Sequence, residues 1–259
     1  MLRSLAVTML VLSFLLPAHQ AQAAKKKQKE AIAVYSEGLT SYKAGEYDKA
    51  VASFQKAVDL FEKFPQAYVK MGHSYQKLSR WPEALAAFEE GVRASLKERD
   101  KHHVAYANTE FGRLQLDMGL LGASQESFQT AVEAARKDKK DQKEKKDLVR
   151  AQYLLGRVFV KLENLDAAVQ SLGEVVAIKP DHSGASVLLG LVHVEQKKFL
   201  EAKQLFQGVL SRDGESKDAM YGMGRLLLER GEKRDAKAWF TKACKLGHSL
   251  ACKAKKIRR

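Results

Sequence analysis

Residues Glu37–Leu60 read EGLTSYKAGEYDKAVASFQKAVDL, and the spacing inside this stretch recurs along the chain. Gly38 is followed by Ala50 after twelve residues, Phe54 after sixteen and Ala57 after nineteen. The same offsets carry Gly72, Ala84, Phe88 and Gly91, then Gly156, Ala168, Leu172 and Val175. They return as Gly190, Ala202, Phe206 and Val209, and as Gly224, Ala236, Phe240 and Ala243. A middle copy has Gly112, Ser124, Phe128 and Ala131. Successive glycines are 34, 40, 44, 34 and 34 residues apart. Spacing of this kind marks a repeat array, in which each unit buries its apolar face against the next.

Within each copy the apolar residues fall at helical rather than strand spacing, in two runs separated by a breaker. Gly45, Gly119 and Gly231 are such breakers. A turn this short makes the two helices antiparallel neighbours. The early glycine and the mid-repeat alanine let the backbones approach, and the large side chain sixteen residues on fills the space between helices. The aromatic and alanine ladder is therefore expected to be core, not a cofactor site.

These residues resemble the tetratricopeptide repeat, as does LLGRVFVKLENLDAAVQSLGEVVAIKP at Leu154–Pro180. The resemblance covers 31 to about 250. It implies an all-α fold, a right-handed α-solenoid of about six helix-turn-helix repeats. Their expected bounds are 31–64, 65–98, 105–138, 149–182, 183–216 and 217–250, followed by a basic capping helix over 251–259 (its start placed at about Leu250). The implied function is a scaffold for protein–protein interaction.

The first 23 residues read as a secretory signal peptide: Arg3, an apolar run from Leu5 to Leu16 broken by Pro17, then the small residues of Ala21-Gln22-Ala23. The run is too short for the roughly 20 residues of a membrane-spanning helix; a signal anchor is the alternative. Export points to a bacterial periplasm. The only cysteines, Cys244 and Cys252, would pair in that oxidising compartment, the alternative being two free thiols. WFTKACKLGHSLA (Trp239–Ala251) resembles the Sel-one-like subclass of these repeats, which implies that a disulfide joins the last repeat helix to a terminal helix.

With 45 Lys and Arg against 31 Asp and Glu, the chain carries a formal charge of +14. Basic segments lie at 24–30 (AKKKQKE) and 253–259 (KAKKIRR), and the run RKDKKDQKEKKD occupies 136–147. The run is a disordered linker or a helical extension; opposite charges four residues apart in it favour two helices projecting beyond the array, joined by a turn within it. It reads as a solvated protrusion or as a basic contact site. A basic balance suggests nucleic acid, which export argues against. Anionic lipids, acidic envelope polymers or acidic proteins are the expected counter-surfaces.

Projecting the repeat onto the implied fold puts Tyr35, Leu39, Lys43, His73, Lys77, Arg113, Tyr153, Arg157, Lys161, Tyr221 and Arg225 on a concave groove. Arginine and tyrosine are the residues in which interface binding energy concentrates. The partner expected there is an acidic protein segment or peptide, clamped mainly by Arg113 and Arg157; the alternative is ordinary solvated groove residues. A structural role through basic contact with envelope polymer or lipid is the competing function. No nucleophile elbow, phosphate loop, HExxH or CxxC occurs, so no enzyme, cofactor or metal is expected. His102 and His103 are expected in a solvated turn, and His73 and His193 as groove or packing residues.

Overall fold

Helical apolar spacing is realised as helices. The computed structural model describes residues 2–98, 100–138 and 145–256, with side chains from residue 22 onward, and the described residues hold thirteen helices and no strand. In chain order they are α1 (Leu2–Lys43), α2 (Tyr47–Leu60), α3 (Pro65–Lys77), α4 (Trp81–Glu98), α5 (Lys101–Asp117), α6 (Leu121–Lys137) and α7 (Lys146–Lys161). Then come α8 (Leu165–Ile178), α9 (Ser183–Glu195), α10 (Phe199–Arg212), α11 (Lys217–Glu229), α12 (Lys233–Lys245) and α13 (Ser249–Ala254). The chain forms two compact units, 1–111 and 112–259. In the first, α1 packs on α2 and α3 on α4; in the second, α7 packs on α8, α9 on α10 and α11 on α12. This is the all-α helix-pair architecture of a solenoid.

Packing explains the period. A Cβ placed on Gly38 would stand 2.6 Å from the Phe54 ring; on Gly72, 2.7 Å from Phe88; on Gly112, 2.8 Å from Phe128. On Gly156 it would meet Leu172 at 2.7 Å, and on Gly190 and Gly224 it would meet Phe206 and Phe240 at 2.5 Å. Each large partner is fully buried, a burial worth about 1.5–3 kcal/mol per side chain. Ala50, Ala84, Ser124, Ala168, Ala202 and Ala236 are buried too. Ser124 donates its hydroxyl to the Gly112 carbonyl at 2.8 Å, so the one polar member of that ladder is satisfied.

Seven residues after each repeat glycine the backbone turns left-handed. Gly45, Gly119 and Gly231 have φ between +77° and +82°. Ser79, Glu163 and Lys197 occupy the same place at φ +58°, +56° and +60°, a conformation that costs a side-chain-bearing residue.

The two longer junctions are built differently. The first is taken up by helix: α4 has 18 residues and α5 has 17, against 14 in α2. Asp100 starts α5, its side chain accepting from the His102 N–H at 2.9 Å. His102 and His103 thus lie in a helical first turn, not a solvated loop, and His103 bonds Glu98 at 2.6 Å and also Gln66. In the second junction α6 runs to Lys137 and α7 begins at Lys146; the turn expected in the charge run falls on 139–144, outside the described residues.

Three further expectations are corrected. α1 continues through Pro17, because the alanine-, leucine- and lysine-rich sequence around it has high helix propensity. The basic stretch 24–30 is part of that helix rather than a separate segment. The terminal helix spans only Ser249–Ala254, since Lys255 and Lys256 already form a turn; 257–259 lie outside the described residues. Among the described residues, no helix is long and apolar enough to cross a membrane.

Candidate functional site

In the second unit the first helices of successive repeats, α7, α9 and α11, bound a cleft of about 370 Å³ together with α13. From α7 come Tyr153, Arg157, Val160 and Lys161; from α9 come Val187, Leu188 and Leu191. Asp218 and Tyr221 come from α11, and His248 and Leu250 complete the wall. The helix period explains the α7 set, because residues four apart share a face.

The side chains divide by chemistry. Val160, Val187, Leu188 and Leu191 form an apolar floor that is partly exposed. Tyr153 packs on His182 at 4.8 Å between ring centroids, with its hydroxyl over Gly184, where a Cβ would come within 3.0 Å. The His182 ring is held because its Nδ1 accepts from the Ala185 N–H at 3.0 Å, capping α9. Tyr221 stacks on His248 at 4.3 Å, the planes 17° apart, and leans on buried Phe240 at 5.7 Å. Arg157 and Lys161 are exposed, and the Arg157 guanidinium lies 6.0 Å from the Tyr153 ring centre. Asp218 faces His248, its Oδ1 3.5 Å from Nε2, so the two cations outnumber one carboxylate in the cleft.

Other groove residues expected from the sequence have different surroundings. Arg225 is engaged with Glu195 at 2.6 Å and Glu229 at 3.9 Å, so its charge is compensated within α9 and α11. Arg113 is exposed on α5 but does not line the cleft; the cation beside Arg157 is Lys161, on the same helix face. In the first unit Tyr35 sits between Phe54 at 5.5 Å and Phe64 at 4.9 Å, and burial pushes its phenol up from the usual range. Leu39 packs on the Phe54 cluster. His73 bridges Gln76 at 3.0 Å and the buried Glu110 carboxylate at 3.1 Å, tying α3 to α5. Lys43 and Lys77 are exposed.

His248 and Leu250 were not expected in a site. They follow α12, the last helix of the repeated pairs, so the offsets that place the groove on first helices do not point to them. Cys244 and Cys252 are joined as a disulfide, with Cα atoms 4.6 Å apart, linking the last turn of α12 to α13.

Against known proteins, tetratricopeptide-repeat family models match residues 38–79, 149–182 and 193–243. Among curated proteins no sequence matches. Solved structures share the fold. PilF of Pseudomonas aeruginosa is 14% identical with a TM-score of 0.68, covering 87% of this chain and 96% of its own. PilW, described as a type IV pilus biogenesis factor, is 17% identical with a TM-score of 0.66, covering 86% of this chain and 96% of its own. YrrB, described as a TPR protein with an unusual peptide-binding site, is 21% identical with a TM-score of 0.60, covering 79% of this chain and 98% of its own. Repeated helix pairs built on a glycine–aromatic contact define an all-α solenoid. The chain is a tetratricopeptide-repeat protein.

Proposed function

We propose that this chain is a non-catalytic scaffold that grips an extended segment of a partner protein in the cleft between α7, α9, α11 and α13. One observation carries the reading. Two exposed cations, Arg157 and Lys161, stand beside an apolar floor walled by Tyr153 and Tyr221. An acidic segment with one or two leucine-like side chains satisfies both parts: carboxylates meet the cations by charge-assisted bonds, and the aliphatic groups leave water on the floor. The peptide-binding site described for YrrB makes the same use of the fold a reasonable expectation for this chain.

The scaffold is exported, on this reading. Arg3, the apolar run Leu5–Leu16 and Ala21-Gln22-Ala23 form a signal peptide, and the disulfide suits an oxidising compartment such as a bacterial periplasm. A second reading rests on Lys25, Lys26, Lys27 and Lys29, all exposed along α1. They would attract anionic polymer or lipid, with an affinity that collapses as salt rises.

Fluorescence polarisation with a labelled Glu-Glu-Leu-Leu-Glu-Glu peptide tests the first reading. Binding is expected for the wild type, with a loss of roughly 30-fold in Arg157→Glu/Lys161→Glu, from two partly exposed charge-assisted contacts. Equal binding to both proteins would refute it. Binding that instead depends on Lys25–Lys29 and disappears at high salt would favour the second reading.

A further inference from the structure

The short helix after the last repeat is more than an end cap. α13 contains six residues, and Ala251 is its only fully buried side chain, set against the cluster of Phe240, Ala236 and Ala243. A helix this short does not hold itself in water. Yet the segment leading into it supplies a wall of the cleft: His248 stacked on Tyr221, and Leu250, half exposed, beside it. The turn that delivers these residues is made by Gly247 at φ +82°, and the His248 Nδ1 caps the helix by accepting from the Ala251 N–H at 3.1 Å. These ties are few. The covalent one is the disulfide from Cys252 of α13 back to Cys244 of α12.

We propose that α13 is a specificity wall of the peptide cleft, with His248 and Leu250 contacting the ligand and the Cys244–Cys252 disulfide acting as the latch that keeps the wall in place. The inference rests on the peptide-binding reading of that cleft. Both cysteines are partly exposed, so a small dithiol can reach the bond. A thiolate of the dithiol attacks one cysteine sulfur, forming a mixed disulfide and releasing the other cysteine as a thiolate. The dithiol's second thiolate then attacks the dithiol sulfur of the mixed disulfide, closing a cyclic disulfide and releasing the remaining cysteine as a thiolate. The dithiol ends oxidised by two electrons, and its two protons reside on Cys244 and Cys252. α13 can then swing away from α12, carrying Leu250 out of the cleft and loosening the turn that holds His248 against Tyr221. The two cysteines are positioning residues, and the ligand is sensed only by the wall they hold.

The loop closed by the disulfide is short, a sequence separation of eight. Opening it should still raise the exchange rate of the α13 amides roughly 50- to 100-fold, from the chain entropy that the cross-link removes. Loss of one wall should weaken peptide binding about tenfold.

The test uses the full chain in three forms: oxidised wild type, wild type reduced with dithiothreitol, and Cys244→Ser/Cys252→Ser. Hydrogen exchange is read over residues 249–254, and affinity is read with the labelled Glu-Glu-Leu-Leu-Glu-Glu peptide. The expected result is fast α13 exchange and weakened binding in both opened forms, with α7, α9 and α11 exchange unchanged and binding restored by reoxidation. Leu250→Asp, with the disulfide intact, should weaken the peptide without accelerating exchange. Equal α13 exchange in all three forms would overturn the latch. Equal peptide affinity in the oxidised and opened forms would overturn the wall while leaving the cleft assignment standing. Failure of the oxidised protein to bind the peptide would sink the peptide-binding reading and the wall with it, while exchange still decides whether the bond holds α13.

Discussion

Replacing Gly222 by alanine should destabilise the protein, although the same exchange in a helix interior ordinarily gains about 1 kcal/mol. Gly222 lies in α11, and a Cβ there would come within 2.4 Å of the Phe206 ring. Ordinary carbon contacts begin near 3.4 Å, so the ring would have to retreat by about 1 Å. It cannot retreat toward α9, because the same ring already lies where a Cβ on Gly190 would stand at 2.5 Å. Phe206 is fully buried, so rotation toward solvent is closed as well. Overpacking costs typically about 1–3 kcal/mol, and a ring held from both sides belongs at the upper end. Subtracting the propensity gain leaves a net loss of about 1–2 kcal/mol. Gly173, in α8, is the control: nothing lies within 4 Å of its Cβ position, so Gly173→Ala should stabilise by about 0.5–1 kcal/mol. Urea denaturation followed by far-UV circular dichroism reads both against wild type. If Gly222→Ala proves as stable as Gly173→Ala, the claim that Phe206 is clamped between α9 and α11 is wrong.

Four other substitutions probe separate features of the fold. Glu163→Gly and Lys197→Gly relieve left-handed backbone at two repeat turns and should each raise stability by about 0.5–1 kcal/mol, seen as a higher melting temperature; unchanged or lower values would contradict the strain argument. Burial holds the His193 imidazole below the usual histidine range, so the native state resists a proton that the unfolded chain accepts near pH 6.5. Its contribution is therefore intact above pH 6.5 and is lost as pH falls toward the lowered native value. His193→Leu should melt with a smaller drop between pH 7.5 and pH 5.5 than wild type, and an identical drop would refute the assignment. Truncating Phe54 to Ala should cost about 3–5 kcal/mol, since its site is closed by Gly38 and by Ala50; a loss below 1 kcal/mol would mean that the cluster collapses to fill the void.

The fold was legible because the packing contact repeats. Gly38 and Phe54 touch for the same reason as Gly224 and Phe240, and a contact required in every copy leaves a period in the sequence. Gly222 escaped notice because it serves Phe206 of the preceding repeat, outside the offset that links a glycine to its own aromatic. The turns were half legible: Gly45, Gly119 and Gly231 announce the left-handed residue, whereas Ser79, Glu163 and Lys197 adopt the same conformation under tertiary constraint with no signal of their own. Extra residues in a junction do not reveal whether they form loop or helix, and those before α5 lengthen helices.

At the site, projection of the repeat found Tyr153, Arg157, Lys161 and Tyr221. It could not foresee that Glu195 and Glu229 engage Arg225, or that Glu110 engages His73, since ion-pair partners on neighbouring helices depend on rotamers. Nor could it assign Tyr35 to packing between Phe54 and Phe64 before the α2–α3 turn was placed.

On the proposed function, the cleft of the second unit selects acidic, aliphatic segments through Arg157 and Lys161. Panning a random heptapeptide library on the immobilised full chain, with counter-selection on Arg157→Glu/Lys161→Glu, tests it most directly. Enriched peptides that pair carboxylates with leucine-like residues, compete with one another and are lost by the double variant are the predicted result. Peptides of no consistent charge, or acidic peptides retained equally by the charge-reversed protein, would contradict it.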